Sequence, residues 1–310
     1  MDKNEIIDKS YNGLLVVKAR NGNFNAGFDG NPRTLPDGRI FATDKALKYC
    51  IREYLATFKD KPVFVRRERI VKENKKDHIL SYLTLEENFS KKTGLQEVPI
   101  GKDHELLQKL KEFIDIRLFG IVFSVNSNIS LTGPVQISYG LNKLNDSNIY
   151  CSQILSPYKN PNEKSKDSAQ TTIGNETRAD EVYYVYNISV NSNNANLTDF
   201  SKNDLVVLKE ALLNSVDPIT SCTKFGCESI CLIWLNNKNN IILNNLDEFL
   251  EIIKLNGKVE LNIKNLKEYL KNYGFNGLEK EEYSLKTDFS KESENKIQII
   301  YKKGKIDVVE

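Results

Sequence analysis

Leu14, Leu15, Val16 and Val17 form an unbroken apolar run, and a strand with no polar face is stable only inside a sheet covered on both sides. The run is a candidate central strand. From Thr43, a residue suited to an N-cap, Ala46, Leu47, Cys50, Ile51, Tyr54, Leu55 and Phe58 recur at helical spacing, with Lys45, Lys48 and Arg52 on the opposite side. Strand character returns at Ile116 to Phe123, at Val135 to Leu144 after the Thr132-Gly133-Pro134 turn, and in the β-branched and aromatic run Val182 to Val190. Ser201 and Asp204 form a capping-box pattern ahead of Leu205, Leu208 and Leu212, so a helix is expected to about Ser215, then a strand from Ser229 to Leu235. The order is strand, helix, strand, strand, helix, strand, interrupted after the first helix and between the middle strands. This is the ferredoxin-like, RNA-recognition-motif (RRM-like) pattern of the α+β class. Residues 236–310 add an expected helix near Leu246 to Ile253, another near Ile263 to Tyr273, and a terminal hairpin containing Ile297 to Tyr301.

With 310 residues and 40% hydrophobic content the chain buries a substantial core. Its 44 Lys and Arg nearly balance 42 Asp and Glu, so any basic surface must come from local clustering. Five cysteines, at 50, 151, 222, 227 and 231, are an odd number and argue for a reducing compartment rather than a disulfide framework. The N-terminus lacks a signal-peptide core, and the longest apolar runs, such as Ile230 to Leu235, are too short to span a bilayer. A soluble, cytoplasmic protein with no membrane partner is expected.

The loop Asn21-Gly-Asn-Phe-Asn-Ala-Gly-Phe-Asp-Gly30 follows directly on the first strand. It offers backbone N–H groups, the small amides of Asn21, Asn23 and Asn25, and flanking cations at Arg20 and Arg33. Lys45, Lys48 and Arg52 stand on the next helix. This is equipment for following a phosphate backbone without hydrolysing it. Residues 59–76 hold eight basic and three acidic residues, including Arg66, Arg67 and Arg69, the densest basic segment of the chain. Such a run is either a nucleic-acid contact or a solvated face. Gln136, polar inside an apolar strand, faces either RNA or the solvent side of a half-covered sheet.

Catalytic signatures are missing. The chain has no Gly-x-Ser-x-Gly elbow, Walker lysine motif or His-Glu-x-x-His. His78 and His104 lie in charged or helical inserted segments and are expected at the surface. Cys222, Cys227 and Cys231 have irregular spacing and no evident fourth ligand; buried structural thiols are expected, with Cys227 and Cys231 on one strand face. No metal or cofactor is expected. A plain RRM module would stack bases on central-strand aromatics, but Arg117-Leu-Phe-Gly-Ile-Val-Phe123 lacks that signature.

Several segments, taken in order, resemble the backbone subunit of type I CRISPR effector complexes, the Cascade "Cas seven" family, most closely its type I-B branch. Arg20-Asn-Gly-Asn-Phe-Asn25 resembles the family's first-strand loop, with Asn23-Phe24 in place of the usual Asp-Pro. Pro32-Arg33, Ala42-Thr-Asp-Lys-Ala-Leu-Lys48 and Ile51-Arg52 resemble its helix entry. Asp115-Ile-Arg-Leu-Phe-Gly120 and Leu131-Thr-Gly-Pro-Val-Gln136 are the most diagnostic pair. Thr172-Ile-Gly-Asn-Glu-Thr-Arg178 and Cys222-Thr-Lys-Phe-Gly226 fall where the family has its Ile-Gly and Ser-Lys-x-Gly segments, which adds Arg178 and Lys224 to the candidate RNA-binding residues.

The resemblance, which covers roughly residues 11–235, implies an RRM-like palm (1–58, 116–144, 177–235), inserted fingers (59–115) and a thumb (145–176); residues 236–310 carry no such signal and are expected to form a C-terminal extension packed on the palm. In the thumb, Tyr158, Lys159, Lys164 and Lys166 have the makeup to stack on and hold a displaced strand; a disordered polar loop is the alternative. The implied function is non-catalytic. Copies of the chain polymerise along CRISPR RNA, leaving its bases to pair with target DNA in antiviral defence. The implied partners are other Cascade subunits (large, small, repeat-processing and five-prime-handle-binding) and a separate helicase-nuclease. Related type III subunits cut RNA with a loop aspartate, which brings Asp29 and Asp37 under consideration, although Asp-Gly at both positions is also turn chemistry. A general single-stranded RNA-binding module and a scaffold without nucleic acid are the remaining readings.

Overall fold

The computed structural model describes residues 5–74, 77–125, 128–155, 173–236 and 240–310. The apolar run lies within a longer strand, β1 (Tyr11–Gly22), followed by the short β2 (Phe41–Ala42) and by α1 (Asp44–Phe58). The Thr43 hydroxyl accepts from the Ala46 N–H at 3.3 Å, closing the start of α1 where the sequence places its cap. Next come β3 (Arg69–Asn74), β4 (Asp77–Tyr82), α2 (Leu85–Thr93), α3 (Asp103–Lys111), α4 (Ile114–Phe119), β5 (Gly120–Phe123) and β6 (Ile129–Thr132). These intervening residues have a core of their own, built on Phe64, Phe89, Leu106, Leu110, Phe113 and Phe123. The chain then runs through β7 (Val135–Ile137), β8 (Gly140–Asn142), β9 (Ile149–Leu155), β10 (Ile173–Val190), α5 (Ser192–Thr198), α6 (Lys202–Asn214) and β11 (Cys227–Asn236). After a 3-10 turn at Leu246–Phe249 it ends with β12 (Glu251–Leu255), β13 (Lys258–Asn262), α7 (Lys264–Lys271), β14 (Gly277–Glu282), β15 (Lys296–Tyr301) and β16 (Asp307–Val309).

The central strand order is β11-β1-β10-β8, with β1 antiparallel to both neighbours, and β7 also pairs with β10. Helices α1 and α6 pack on the face of β1 that carries Leu15 and Val17. This is a mixed α+β molecule with the strand order and one-sided helix pair of a ferredoxin-like, RRM-like palm. The other face, with Leu14, Val16, Tyr183, Val185 and Ile233, is covered by the C-terminal residues Leu243, Leu246, Leu261 and Leu266. All four residues of the opening run are 0% exposed, which meets the two-sided burial that an alternation-free strand demands.

Several expected elements differ. Ile116–Phe119 is helical rather than extended, and only Gly120–Phe123 is a strand, paired with β6 outside the large sheet. A short run apolar on all sides suits a buried helix as well as a strand, and Gly120, at φ 75°, breaks one into the other. Val135 to Leu144 is two short strands, with Ser138 and Tyr139 between them. Beyond Leu246 the expected helix is one 3-10 turn, and Ile253 lies in β12. No terminal hairpin forms around Ile297 to Tyr301: β15 instead pairs antiparallel with β11 and parallel with β14, extending the palm sheet. Cys227 and Cys231 lie in opposite cores because the β1–β11 register slips between Val16 and Val17, leaving Ile230 as an extra residue.

Candidate nucleic-acid interface

The first-strand loop is held against a second loop from the far end of the chain. Arg20 N–H donates to the Gly226 carbonyl at 2.9 Å, and Asn23 N–H donates to Thr223 at 2.7 Å. These contacts dock the 221–226 segment directly on the end of β1. The approach is so close that a Cβ on Gly226 would stand 1.9 Å from the Arg20 carbonyl oxygen, which is why glycine is required there. Arg178 comes in from β10. Its guanidinium donates to the Asn21 carbonyl at 3.0 Å, to Glu176 at 2.9 Å and to the Cys222 Sγ at 2.9 Å. Arg20, Asn21, Arg178, Cys222 and Gly226 thus line one open cleft of about 950 Å³.

Within the loop, the side chains divide into those that hold it and those that face out. Asn23 is buried, and its amide donates to the carbonyls of Gly30 at 3.0 Å and Thr177 at 3.3 Å. Asn25 accepts from both the N–H and the hydroxyl of Thr43 at 2.9 Å, tying the loop to the start of α1. Both amides position the loop. Asn21, in contrast, is exposed and sits at φ 48°. Asp29 accepts from the N–H and side-chain amide of Asn31, and Asp37 from the N–H and guanidinium of Arg39. These bonds, those to Asn31 foremost, hold the Asp29 carboxyl below its ordinary range, and Arg39 does the same for Asp37.

The candidate cations also divide. Lys48 pairs with Asp44 at 3.1 Å and Arg52 with Asp115 at 3.0 Å, both with side chains about one-sixth exposed. The first pair lies within α1 and the second ties α1 to α4, so neither cation lines a free basic stripe, although Lys45 is 81% exposed and only loosely paired with Asp44 at 3.4 Å. Arg66 is taken by Glu53 in a two-pronged pair at 3.1 and 2.9 Å. Arg67 and Arg69 have no carboxylate partner among the described residues; they flank the exposed Tyr82 ring at 4.0 and 5.0 Å. Lys224 lies over Phe24 at 5.7 Å and Tyr49 at 5.3 Å. Lys224, Arg20 and Arg33 likewise form no ion pair with any described residue. Gln136 is exposed on the sheet face away from α1 and donates to the Gly133 carbonyl at 2.9 Å. Lys159, Lys164, Lys166 and Tyr158 fall outside the described residues.

The two most diagnostic segments meet each other rather than the cleft. Asp115, fully buried, accepts from the N–H groups of Phe64 at 2.7 Å and Val65 at 2.9 Å as well as from Arg52. Arg117 forms a bidentate pair with Asp204 at 2.9 and 2.8 Å. Backbone packs on backbone at Gly120 and Gly133, where a Cβ on Gly133 would stand 2.4 Å from the Gly120 nitrogen. Their role is to fix the architecture.

Of the thiols, Cys50, Cys227 and Cys231 are buried, and burial pushes them up to about 11, about 12 and about 12. Cys222 is exposed, contrary to the buried structural role expected for it, because it sits on the loop that docks at β1. His104 is exposed, and His78 lies among residues whose side chains are not described. Among the described residues no three His, Cys, Asp or Glu side chains stand close enough together to hold a metal ion. None of their helices is long and apolar enough to cross a membrane.

Sequence reasoning missed Lys18 and Lys305, which line the cleft beside Arg20. The alternation Val16, Lys18, Arg20 at the end of an apolar strand is the signal for the first; nothing local marks the second. A solved structure shares the fold. A chain described as "CRISPR RNA-guided surveillance complex, pre-nicking" superposes with a TM-score of 0.50 at 12% identity, covering 90% of this chain and 94% of that one. Another, described as "CRISPR RNA-guided surveillance complex", gives 0.49 at 12% identity, covering 92% and 94%. No curated protein matches the sequence. The model of the CRISPR-associated protein Cas7 family matches residues 9–274, well over half of the chain, and the chain belongs to that family.

Proposed function

We propose that this chain is the CRISPR RNA-binding backbone subunit of a type I Cascade, of the type I-B branch. Copies of it polymerise along the spacer of the guide RNA and hold its backbone, while the bases stay open to pair with target DNA. The observation that carries this reading is the pair of cations without carboxylate partners, Arg20 at the end of β1 and Lys224 on the loop docked against it. Most cations elsewhere among the described residues are matched to an acid, whereas the charge of these is available to phosphate.

The subunit holds RNA without cutting it. In support, the oxygens of Asp29 and Asp37 are engaged in turns, the geometry of Asx caps rather than of a base poised over a strand. Against an ordinary RRM module stands the C-terminal cover of the palm. The sheet face on which such modules stack bases is closed, and Tyr183 there is 0% exposed.

Co-expression with and without a guide RNA tests the reading. The purified chain should carry RNA in its ultraviolet spectrum and elute as an oligomer only when the guide is supplied. A chain that stays monomeric and RNA-free beside its guide would sink it.

A further inference from the structure

The C-terminal residues cover the palm face at Leu14 and Val16 but stop short of Lys18 and Arg20, further along the same face of β1. At that end the β12–β13 turn and the loop between β15 and β16 close over the strand ends and leave a cleft of about 670 Å³. Six cations line it (Lys18, Arg20, Lys254, Lys258, Lys303 and Lys305), against the carboxylates of Glu181 and Asp307. Glu181 is already engaged: Lys254 and the Tyr183 hydroxyl donate to it, and Lys18 stands 3.4 Å away. Partial burial pushes the Glu181 carboxyl up, but the Lys254 bond and its neighbours more than reverse that and keep it ionised. Lys305 is matched to Glu228 at 2.9 Å and Lys303 to Glu282 at 3.3 Å, the second pair largely in water and so weakly held. Arg20 and Lys258 have no acid partner among the described residues.

Two glycines keep the rim open. Gly257, at φ 78°, and Gly304, at φ 74°, stand where an added Cβ would meet nothing within 4 Å, so a ligand backbone can come close to the chain. Lys18 and Arg20 line both this cleft and the one beside the first-strand loop, so the two share a wall. A strand held at the loop has a continuous basic path from one cleft into the other.

We propose that the C-terminal quarter builds a second groove for a phosphodiester backbone, which receives the guide RNA strand as it leaves the first-strand loop. This rests on the RNA-binding reading above. The contact is to phosphate and so independent of base sequence.

The test is fluorescence anisotropy of a labelled oligouridylate against the purified full chain over a range of salt concentrations. Lys258→Glu with Lys303→Glu should weaken binding about tenfold at low salt and reduce the slope of log affinity against log salt by about 1.4, at about 0.7 per phosphate. Both side chains are exposed, so the melting midpoint should not move. If it falls, the Gln pair at the same positions is measured instead, and it should show the same loss of slope. Parental affinity and slope in these variants, with binding still weakened by Arg20→Glu, overturn the groove and leave the RNA-binding reading standing. Failure of the parent chain to bind RNA overturns both. A loss seen only when complementary DNA is added to the RNA-bound protein assigns the groove to the target strand and overturns its assignment to the guide.

Discussion

Asp115 shows how a single buried carboxylate ties two parts of the molecule together. It is 0% exposed and accepts three donors, the N–H groups of Phe64 and Val65 and the Arg52 guanidinium. The next residues along are Arg66 and Arg67, so the same carboxylate sets where the basic segment leaves the palm. Asp115→Asn keeps the shape, removes the charge and turns an acceptor towards a donor. The amide keeps one accepting oxygen, but its NH2 faces the donors on the other side and Arg52 loses its counter-charge, which should cost about 3 kcal/mol, read as a lower urea midpoint at unchanged slope. A variant as stable as the parent would show that the buried pair contributes nothing. The sequence marks Asp115 only through its family-like motif. Its partners lie 50 to 63 residues away, and no local periodicity links residues so far apart.

At the scale of elements, the long periodic segments were legible and the short ones were not. The α1 stripe and the Ser201–Asp204 capping box formed as their residues dictate, because each pattern spans enough residues to separate a helix from a strand. The β12–β13 hairpin carried a readable signal, Asn256-Gly257, whose φ values of 50° and 78° belong to a type I′ turn. That dipeptide outweighs the helical spacing of the leucines before it. The bulge in β11 had no local sign, since it arises from pairing with β1 across more than 200 residues. The docking of the 221–226 loop is likewise a tertiary fact with one sequence trace, Gly226. Gly226→Ala would press a methyl group into the Arg20 carbonyl and push the loop off β1, costing about 1–3 kcal/mol of stability. RNA affinity should fall with it, because the loop that carries Lys224 is displaced from the end of β1. Undiminished anisotropy-measured affinity in a folded Gly226→Ala chain would show that the loop's position does not matter for RNA.

For the molecule as a whole, the question is whether the C-terminal quarter is an appendage or half of the core. Composition left that open, because residues 236–310 have mixed charge and short apolar runs. The structure answers it through β1: Leu14 and Val16 face the C-terminal layer, and Leu15 and Val17 face α1 and α6. Strand β15 also completes the hydrogen bonding of β11, so the same segment that roofs the sheet protects its edge. A chain ending at Asn236 would bare Leu14, Val16, Tyr183, Val185, Ile233 and Leu235 together. At roughly 1.5–3 kcal/mol for each large side chain, the lost burial is on the order of 10 kcal/mol. That is comparable with the entire stability of an ordinary domain. The truncated chain should therefore be recovered only as aggregate, or as a dye-binding species without a cooperative melt, whether or not guide RNA is present. A soluble monomer that melts like the full chain would mean that the palm closes without its C-terminal layer. In that case the alternation-free strand at residues 14–17 would be stable with one face bare, against the rule that places it in the middle of the molecule.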